Sequence, residues 1–575
     1  AGSTAMLAAD GNVVLSGNMV VESNDAVIDA SLSNSSIWTG AGKGVTSVAV
    51  DSTSYWLMSG SSDVGALTND GTIEFDSATP YKALTVGSLA MDNGSFVLNT
   101  KLNEGGAASE TDKIVVTGDT TGLGVVNVRN NGGIGAFTGT GATDGIQIVE
   151  VGGQSNAEFK LGSAAIVGIY DYQLRKADGQ NWYLQTDGKD VIEPPVCTPD
   201  VDCPVEPPVN PGPGTGHVVD IVPGYNIALA AAQNHVLTTL DTFHERLGEL
   251  RAEDLRDGYN VWMRGIGKTG SYSPKSITGY NGHGFDMTTA GAQIGVDYSK
   301  GDVFIAGDKL TVGIFGEYAN SSFDVRGRTA DGSISSKGLG GYVTWQQVAP
   351  SDYKPGTGVY VDAVIKHDWI DFGVSAKSVS GFALQNSYKG RATTASIEAG
   401  YGFDLGNNVV LQPQAQLIYS KIKADSFTDT YGIHVYDQSA ESLIGRVGVR
   451  LEKTIYFGDE EEVSKPASSA IKGRKGSVTK KVPAVLPDAP QKKKFVKSVT
   501  TYADANVKRE FKGKNGLVAS GASIGNDMSG TAYDVGVGVV ARVSENVSLY
   551  ARGAVEFGGS TNVAGKASGG LKISW

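Results

Sequence analysis

The stretch Val547-Ser548-Leu549-Tyr550-Ala551-Arg552-Gly553-Ala554-Val555-Glu556-Phe557 decides how the second half of this chain is read. Its odd positions are Val, Leu, Ala, Gly, Val and Phe; its even positions are Ser, Tyr, Arg, Ala and Glu. Side chains of a strand alternate between faces, so one face meets apolar surroundings and the other carries charges of both signs. The same alternation runs through 533–543, with Asp534 and Arg542 on the polar face, and through 361–366, with Asp362 and Lys366. These runs are about twice the usual globular strand of roughly five or six residues. They suit strands that cross lipid at a tilt, which need about 9–11.

Twelve such segments begin near Val261, Thr289, Lys309, Ser336, Gly358, Ala392, Val409, Leu443, Val499, Thr531, Val547 and Lys566. An even number suits a closed barrel, and closure leaves no unpaired edge in hydrocarbon. The chain stops inside the last segment, at Gly569-Gly570-Leu571-Lys572-Ile573-Ser574-Trp575. It does so because the final strand must close against the first. Leu571, Ile573 and Trp575 would face lipid, with Trp575 in the interfacial aromatic belt. An alternating, aromatic-ended strand is also a template for strand addition by an assembly machine.

The chain has 575 residues, with 78 Gly, 18 Pro and 2 Cys, and a formal net charge of -13. That balance excludes a nucleic-acid footprint, which needs a basic domain. No apolar run reaches the roughly 18–20 residues of a membrane helix. The opening AGSTAMLAAD lacks the basic and apolar regions of a signal peptide, so the chain is either cytoplasmic or a mature or trimmed form, and the rest of the sequence favours the second.

Residues 1–190 read as short β runs cornered by Gly, Asn and Asp, such as Val64–Phe75, Phe96–Leu98, Asp112–Gly118, Val125–Val128 and Gly145–Val151. Closely spaced short strands without a helix suit a solenoid of β-coils; an immunoglobulin-like sandwich has similar spacing. Over 191–223 the chain turns Pro-rich (EPPVCTPDVDCPVEPPVNPGPGTG), a semi-rigid spacer. Cys197 and Cys203 lie in it; in an oxidising compartment they could close one small loop, and a metal site would need more Cys or His nearby.

Residues 224–257 hold the one strong helix, Ala- and Leu-rich, with Glu and Arg toward its end. Asn234, His235, Asp241, His244, Glu245 and Arg246 could not face lipid. Either the helix links two soluble domains or it crosses inside something polar, and the barrel pattern favours the second.

In this order the pieces resemble the type V autotransporters of Gram-negative bacteria, of the pertactin and diffuse-adherence kind. The stretch SSDVGALTNDGTI (61–73) is similar to the repeating coil near the end of such passengers. Thr111–Gly118, Gly145–Val151, Tyr170–Leu174 and Asn181–Leu184 are similar to the same region. Phe243–Glu249 followed by Val261–Arg264 resembles the helix-to-first-strand junction. The resemblance implies an all-β fold: a right-handed parallel β-helix, then a 12-stranded antiparallel transmembrane barrel (258–575) with one α-helix in its pore.

It further implies that the barrel anchors in the outer membrane and displays its own passenger, with residues about 60–190 acting as autochaperone. Implied partners are the barrel-assembly machinery, which would read Leu571, Ile573 and Trp575, periplasmic chaperones, and outer-membrane lipid and lipopolysaccharide. The passenger would meet a host surface or neighbouring cells; the barrel would be monomeric. Some relatives cut the passenger off by attack of an Asn on its own backbone. The corresponding positions here are Asp241 and Thr242, so that cut is not expected.

No Gly-Asp-Ser-Gly, G-x-S-x-G or H-E-x-x-H motif is present. The expectation is no enzyme, no catalytic residue, no cofactor and no metal. The rivals are a porin-like channel and the stub of a surface enzyme whose catalytic domain lies outside this chain. Residues 458–497 break the barrel pattern with ten Lys or Arg, a basic loop that strand counting places in the periplasm, either solvated or bound to an envelope partner.

Overall fold

The computed structural model describes residues 2–23, 25–176, 178–186, 218–248, 257–277, 283–347, 356–457 and 497–575. Most of the Pro-rich spacer, with Cys197 and Cys203, and nearly all of the basic loop lie outside the described residues.

The first unit is a stack of parallel β-coils. Thr4–Asp10 pairs with Val27–Ser33, which pairs with Val45–Val50, then Ser62–Asn69, then Ala83–Thr100. A second ladder runs beside it, and its register puts Trp38, Trp56, Ile73, Phe96, Val126 and Leu161 in one column. All six are buried. The two Trp rings stack at 4.5 Å, and their indole N–H groups donate to the carbonyls of Gly17 and Gly40. A column of this kind buries apolar surface only when coil lies on coil, and that is what holds a solenoid together. Parallel pairing throughout these coils excludes the sandwich.

The stack ends in antiparallel strands: Ile146–Val151 pairs with Trp182–Thr186, which pairs with Tyr170–Arg175, and that with Ala165–Val167. This base rests on the second unit. Tyr170 forms an antiparallel bridge with Val218, the Val219 N–H donates to the Ile169 carbonyl at 2.9 Å, and the Val379 N–H donates to Asp171 Oδ2 at 2.7 Å.

The second unit is a closed barrel of twelve antiparallel strands: β1 (Gly258–Tyr272), β2 (Phe285–Gly301), β3 (Asp308–Val325), β4 (Asp331–Gln347), β5 (Gly358–Lys377), β6 (Ala383–Gly406), β7 (Val409–Ala424), β8 (His434–Phe457), β9 (Lys497–Glu510), β10 (Gly530–Arg542), β11 (Val547–Gly558) and β12 (Thr561–Ser574). β1 pairs with β12 from Asn260↔Ser574 to Tyr272↔Thr561. Tyr259 and Trp575 exchange both backbone hydrogen bonds at 3.0 Å, so the terminal residue is part of the closure. Lys572 points inward and is buried, while Ile573 and Trp575 are exposed and Leu571 is half-buried on the outer face.

Several strands are longer than the sequence pattern suggests: β6 and β8 reach 24 residues. At about 3.3 Å per residue they far exceed the width of a bilayer. The alternation extends beyond the lipid belt because these walls also enclose the helix and carry the base of the stem.

The helix differs from the single rod expected over 224–257. It is α1 (Ile221–Leu240) followed by a short α2 (Phe243–Leu247). The break falls at Asp241, whose φ of 57° lies in the left-handed region. Thr242 and Glu245 form a capping box that starts α2. Residues 249–256 lie outside the described ones.

Candidate functional site

The barrel interior is the place where this fold concentrates chemistry. α1 is buried along nearly its whole length, with Tyr225, Ala228, Leu229 and Ala232 inside an apolar collar near the stem end. Among the described residues no helix is long and apolar enough to cross lipid alone. α1 crosses inside a protein wall instead. Strand alternation supplies that wall, because even a strand as apolar outside as β11 turns Arg552 and Glu556 inward.

Below the collar the helix meets polar groups at nearly every step. His235 lies between two hydroxyls, Nδ1 at 2.7 Å from Ser321 Oγ and Nε2 at 2.7 Å from Ser336 Oγ. Gln233 donates to Ser442 Oγ at 3.1 Å and accepts from Asn515 at 2.8 Å. Lys366 Nζ reaches Thr239 Oγ1 at 2.6 Å, Glu317 at 2.7 Å and Asp368 at 3.2 Å, all of them buried. The ion pairs lie within the wall, and the helix joins them through the Thr239 hydroxyl, whose hydrogen bonds to charged groups, about 1.5–3 kcal/mol each, favour one register of α1.

The break at Asp241 is held by tertiary charge. Arg264 Nη1 lies 2.8 Å from one carboxylate oxygen, and Lys566 Nζ pairs with the other. Arg264 also donates to the Thr239 carbonyl at 2.8 Å, capping the end of α1. The first N–H of α2, on Phe243, donates to Glu398 at 3.1 Å. Glu245 meets Arg552 at 2.7 Å. Arg246 pairs with Asp362 at 2.7 Å, lies 4.5 Å from the centre of the Tyr342 ring, and its carbonyl accepts from the Tyr550 hydroxyl at 2.8 Å. His244 packs edge-on to Tyr360.

The six polar residues singled out on the helix all point into the lumen. Asn234 faces the one side that the helix does not fill, and its amide nitrogen has no protein partner among the described residues. A cavity of about 160 Å³ lies there, lined by Asn234, Thr238 and Glu245 of the helices and Lys508, Asp534 and Glu556 of the wall. At about 10–15 Å³ of accessible space per water, it has room for a file of waters beside the helix. Sequence reading missed Thr239 on the helix and Arg264, Glu317 and Lys566 as its partners; for the partners the available signal was that charged residues stand at inward positions of strands otherwise apolar outside. Among the described residues no group of three or more His, Cys, Asp or Glu is placed to hold a metal ion.

Known proteins show the same arrangement of sequence. Residues 261–470 match the family described as the autotransporter beta-domain, and residues 62–174 match the autochaperone domain type 1. The chain is 28% identical over 518 residues to the uncharacterized protein YdeU of Escherichia coli, covering 86% of this chain and 98% of that one. It is 25% identical over 576 residues to the pertactin autotransporter of Bordetella bronchiseptica, covering 95% of this chain and 55% of that protein, so it spans about half of pertactin's length. The crystal structure of the transport unit of AIDA-I from Escherichia coli aligns with a TM-score of 0.41 at 19% identity, over 61% of this chain and 99% of that one.

Proposed function

The chain is an autotransporter, a translocator barrel of the outer membrane joined to passenger on the cell surface, and on that footing we propose that the helix is the tether left in the pore after export, holding the stem outside. The observation that carries this is the path of the chain. Val218 bridges to the stem base at one mouth, α1 and α2 run down the lumen, and β1 begins at the opposite end.

Export leaves no room for a second chain, so α1 takes its seat last. The residues of the collar and the Lys366 group then hold it. The coils of about 60–190 fold first outside and offer an open edge to those still emerging. Burying coil on coil supplies a bias against slipping back, with no nucleotide required. The stem serves adhesion or self-association, because its long flat faces suit extended contact rather than a pocket; it is not an enzyme. The barrel is monomeric, and its final strand, with Leu571, Ile573 and Trp575, is handed by periplasmic chaperones to the barrel-assembly machinery.

An epitope placed at Ala1, in a chain expressed behind a signal peptide, tests the reading. Protease added to intact cells should remove the epitope and leave a heat-modifiable membrane fragment of about the size of 218–575. An epitope protected in cells whose barrel is inserted would place the stem in the periplasm and overturn it.

A further inference from the structure

The outer wall of the barrel carries a cationic patch that its apolar surroundings do not explain. On β7 the outward residues run Val409, Leu411, Pro413, Ala415, Leu417, Tyr419, then Lys421 and Lys423. From Val409 to Tyr419 the strand climbs about 33 Å at 3.3 Å per residue, or about 25 Å along the barrel axis at a tilt near 40°, the height of a lipid-facing band. The two lysines therefore begin where the acyl layer ends on the stem side. The neighbouring β6 repeats the pattern: Ile397, Ala395 and Thr393 give way to Arg391 and Lys389.

Register makes the cluster tight. Arg391 and Lys423 are direct cross-strand partners on the outer face, an arrangement that places like charges about 5 Å apart at Cβ and is destabilising unless an anion is supplied. Lys421 shares Glu441 with Lys512, each at 3.0 Å, and Lys389 is 4.0 Å from Asp371. Among the described residues Arg391 and Lys423 have no carboxylate. Five cations thus stand on this sector against three acids, Asp371, Glu441 and the outward Asp425 beside Lys389, so the sector keeps an excess of positive charge. On the neighbouring sector, β2 to β4, the outward residues at the same end are Asp286, Asp324 and Asp331, adjacent in register. The charge is local, in a chain whose net charge is -13.

We propose that Arg391 and Lys423, flanked by Lys389 and Lys421, form a binding site on the barrel wall for a diphosphorylated acyl-glycolipid of the outer leaflet. The acyl chains lie along the Leu417 and Ile397 belt, and the two phosphates meet the cations. Lys389 and Lys421 are about 13 Å apart along the strands, comparable with the separation of phosphates at the two ends of a disaccharide headgroup. Arg391 supplies the planar fork suited to phosphate oxygens. Exposed Tyr419 and Trp369 bracket the level of the sugar. The inference rests on the outer-membrane placement of the barrel.

The test uses the full chain, purified in detergent, with diphosphoryl lipid A as the probe and native mass spectrometry as the readout. R391Q/K423Q should bind it at least about tenfold more weakly, the loss expected for two charge-assisted phosphate contacts. K300Q/K453Q, which removes two outward lysines at the opposite end, should bind as the parent does. Phosphatidylglycerol and inorganic phosphate should not compete. Equal binding by R391Q/K423Q and the parent would overturn the site, as would competition by phosphatidylglycerol or by inorganic phosphate at equal concentration. Heat-modifiable migration and removal of an Ala1 epitope by external protease report insertion and display separately, so failure of the outer-membrane reading is told apart from failure of the site. Should the double variant not insert, the singles R391Q and K423Q carry the same expectation.

Discussion

Lys366 of β5 and Glu317 of β3 lie 2.7 Å apart inside the barrel, and Thr239 of α1 completes the group, 2.6 Å from the lysine and 2.9 Å from the glutamate. The wall therefore holds the helix by hydrogen bonds to a buried ion pair on one side and leaves a cavity on the other. Lys366→Ala strands two buried carboxylates, a loss of about 3–5 kcal/mol. The expected outcome is a barrel that inserts but unfolds at lower temperature, with higher conductance in planar bilayers. Lys366→Met combined with Glu317→Gln and Asp368→Asn should recover much of the stability, since no unpaired charge remains.

Deleting 221–247 should open the lumen outright. Conductance should rise well above that of the parent, in which the helix fills most of the lumen and leaves only the cavity beside Asn234. Equal conductance would mean that the helix does not occupy the pore in the membrane.

The stem should fail independently of the barrel. Trp56 is fully buried and stacked on Trp38. Trp56→Ala should cost about 3–5 kcal/mol locally. The measurable result is a stem cut by protease between the first coils, on cells whose barrel still shows heat-modifiable migration.

Docking of the stem base should depend on pH. Burial pushes the Asp171 carboxyl up to about 7, against the lowering effect of the Val379 amide and with help from Asp220 nearby. The group is protonated in the docked state where it would be ionised in water. Its stabilising effect is complete below the ordinary value of 3.8, declines between, and is gone above about 7. Proteolysis of the junction near Val379 should be slower at pH 5 than at pH 8, and Asp171→Asn should remove the difference.

The chain should stay uncut at the helix break. Both carboxylate oxygens of Asp241 are held by cations, Arg264 and Lys566, which lowers their nucleophilicity toward the next peptide bond. Stem and barrel should run as one polypeptide in denaturing gels of washed outer membranes. A stable fragment beginning at Thr242 would contradict this.

The barrel was legible because lipid imposes one rule on every strand. All twelve start positions read from alternation fall within or at the edge of the strands found, from β1 at Gly258 to β12 at Thr561. The polar residues of the helix were legible as residues that lipid would reject. Their partners were not: Lys566 meets Asp241 across 325 positions, and only closure of the barrel brings them together. The break in the helix was hidden for the same reason. Nothing in Leu240-Asp241-Thr242-Phe243 forbids a helix; Arg264, Lys566 and Glu398 make the bend the better state. In the stem, coils such as Val14–Ser16 and Met19–Val20 have too few residues for alternation to show. Their stacking is set by the Trp column instead.

The central claim is that α1 sits in the pore while the stem stands outside. Gln233 and Ser442, whose side chains meet at 3.1 Å, offer the direct measurement. Gln233→Cys with Ser442→Cys should be joined by a short, reducible bis-methanethiosulfonate reagent, which spans the gap left by shortening Gln233, in intact cells whose Ala1 epitope is accessible to external protease. After the stem is shaved away, the remaining fragment should run in denaturing gels with the shifted mobility of an internally looped chain, and should lose that shift when reductant is added. Full display of the stem with no cross-link formed would show that the helix is not seated against β8, and the tether reading would fall.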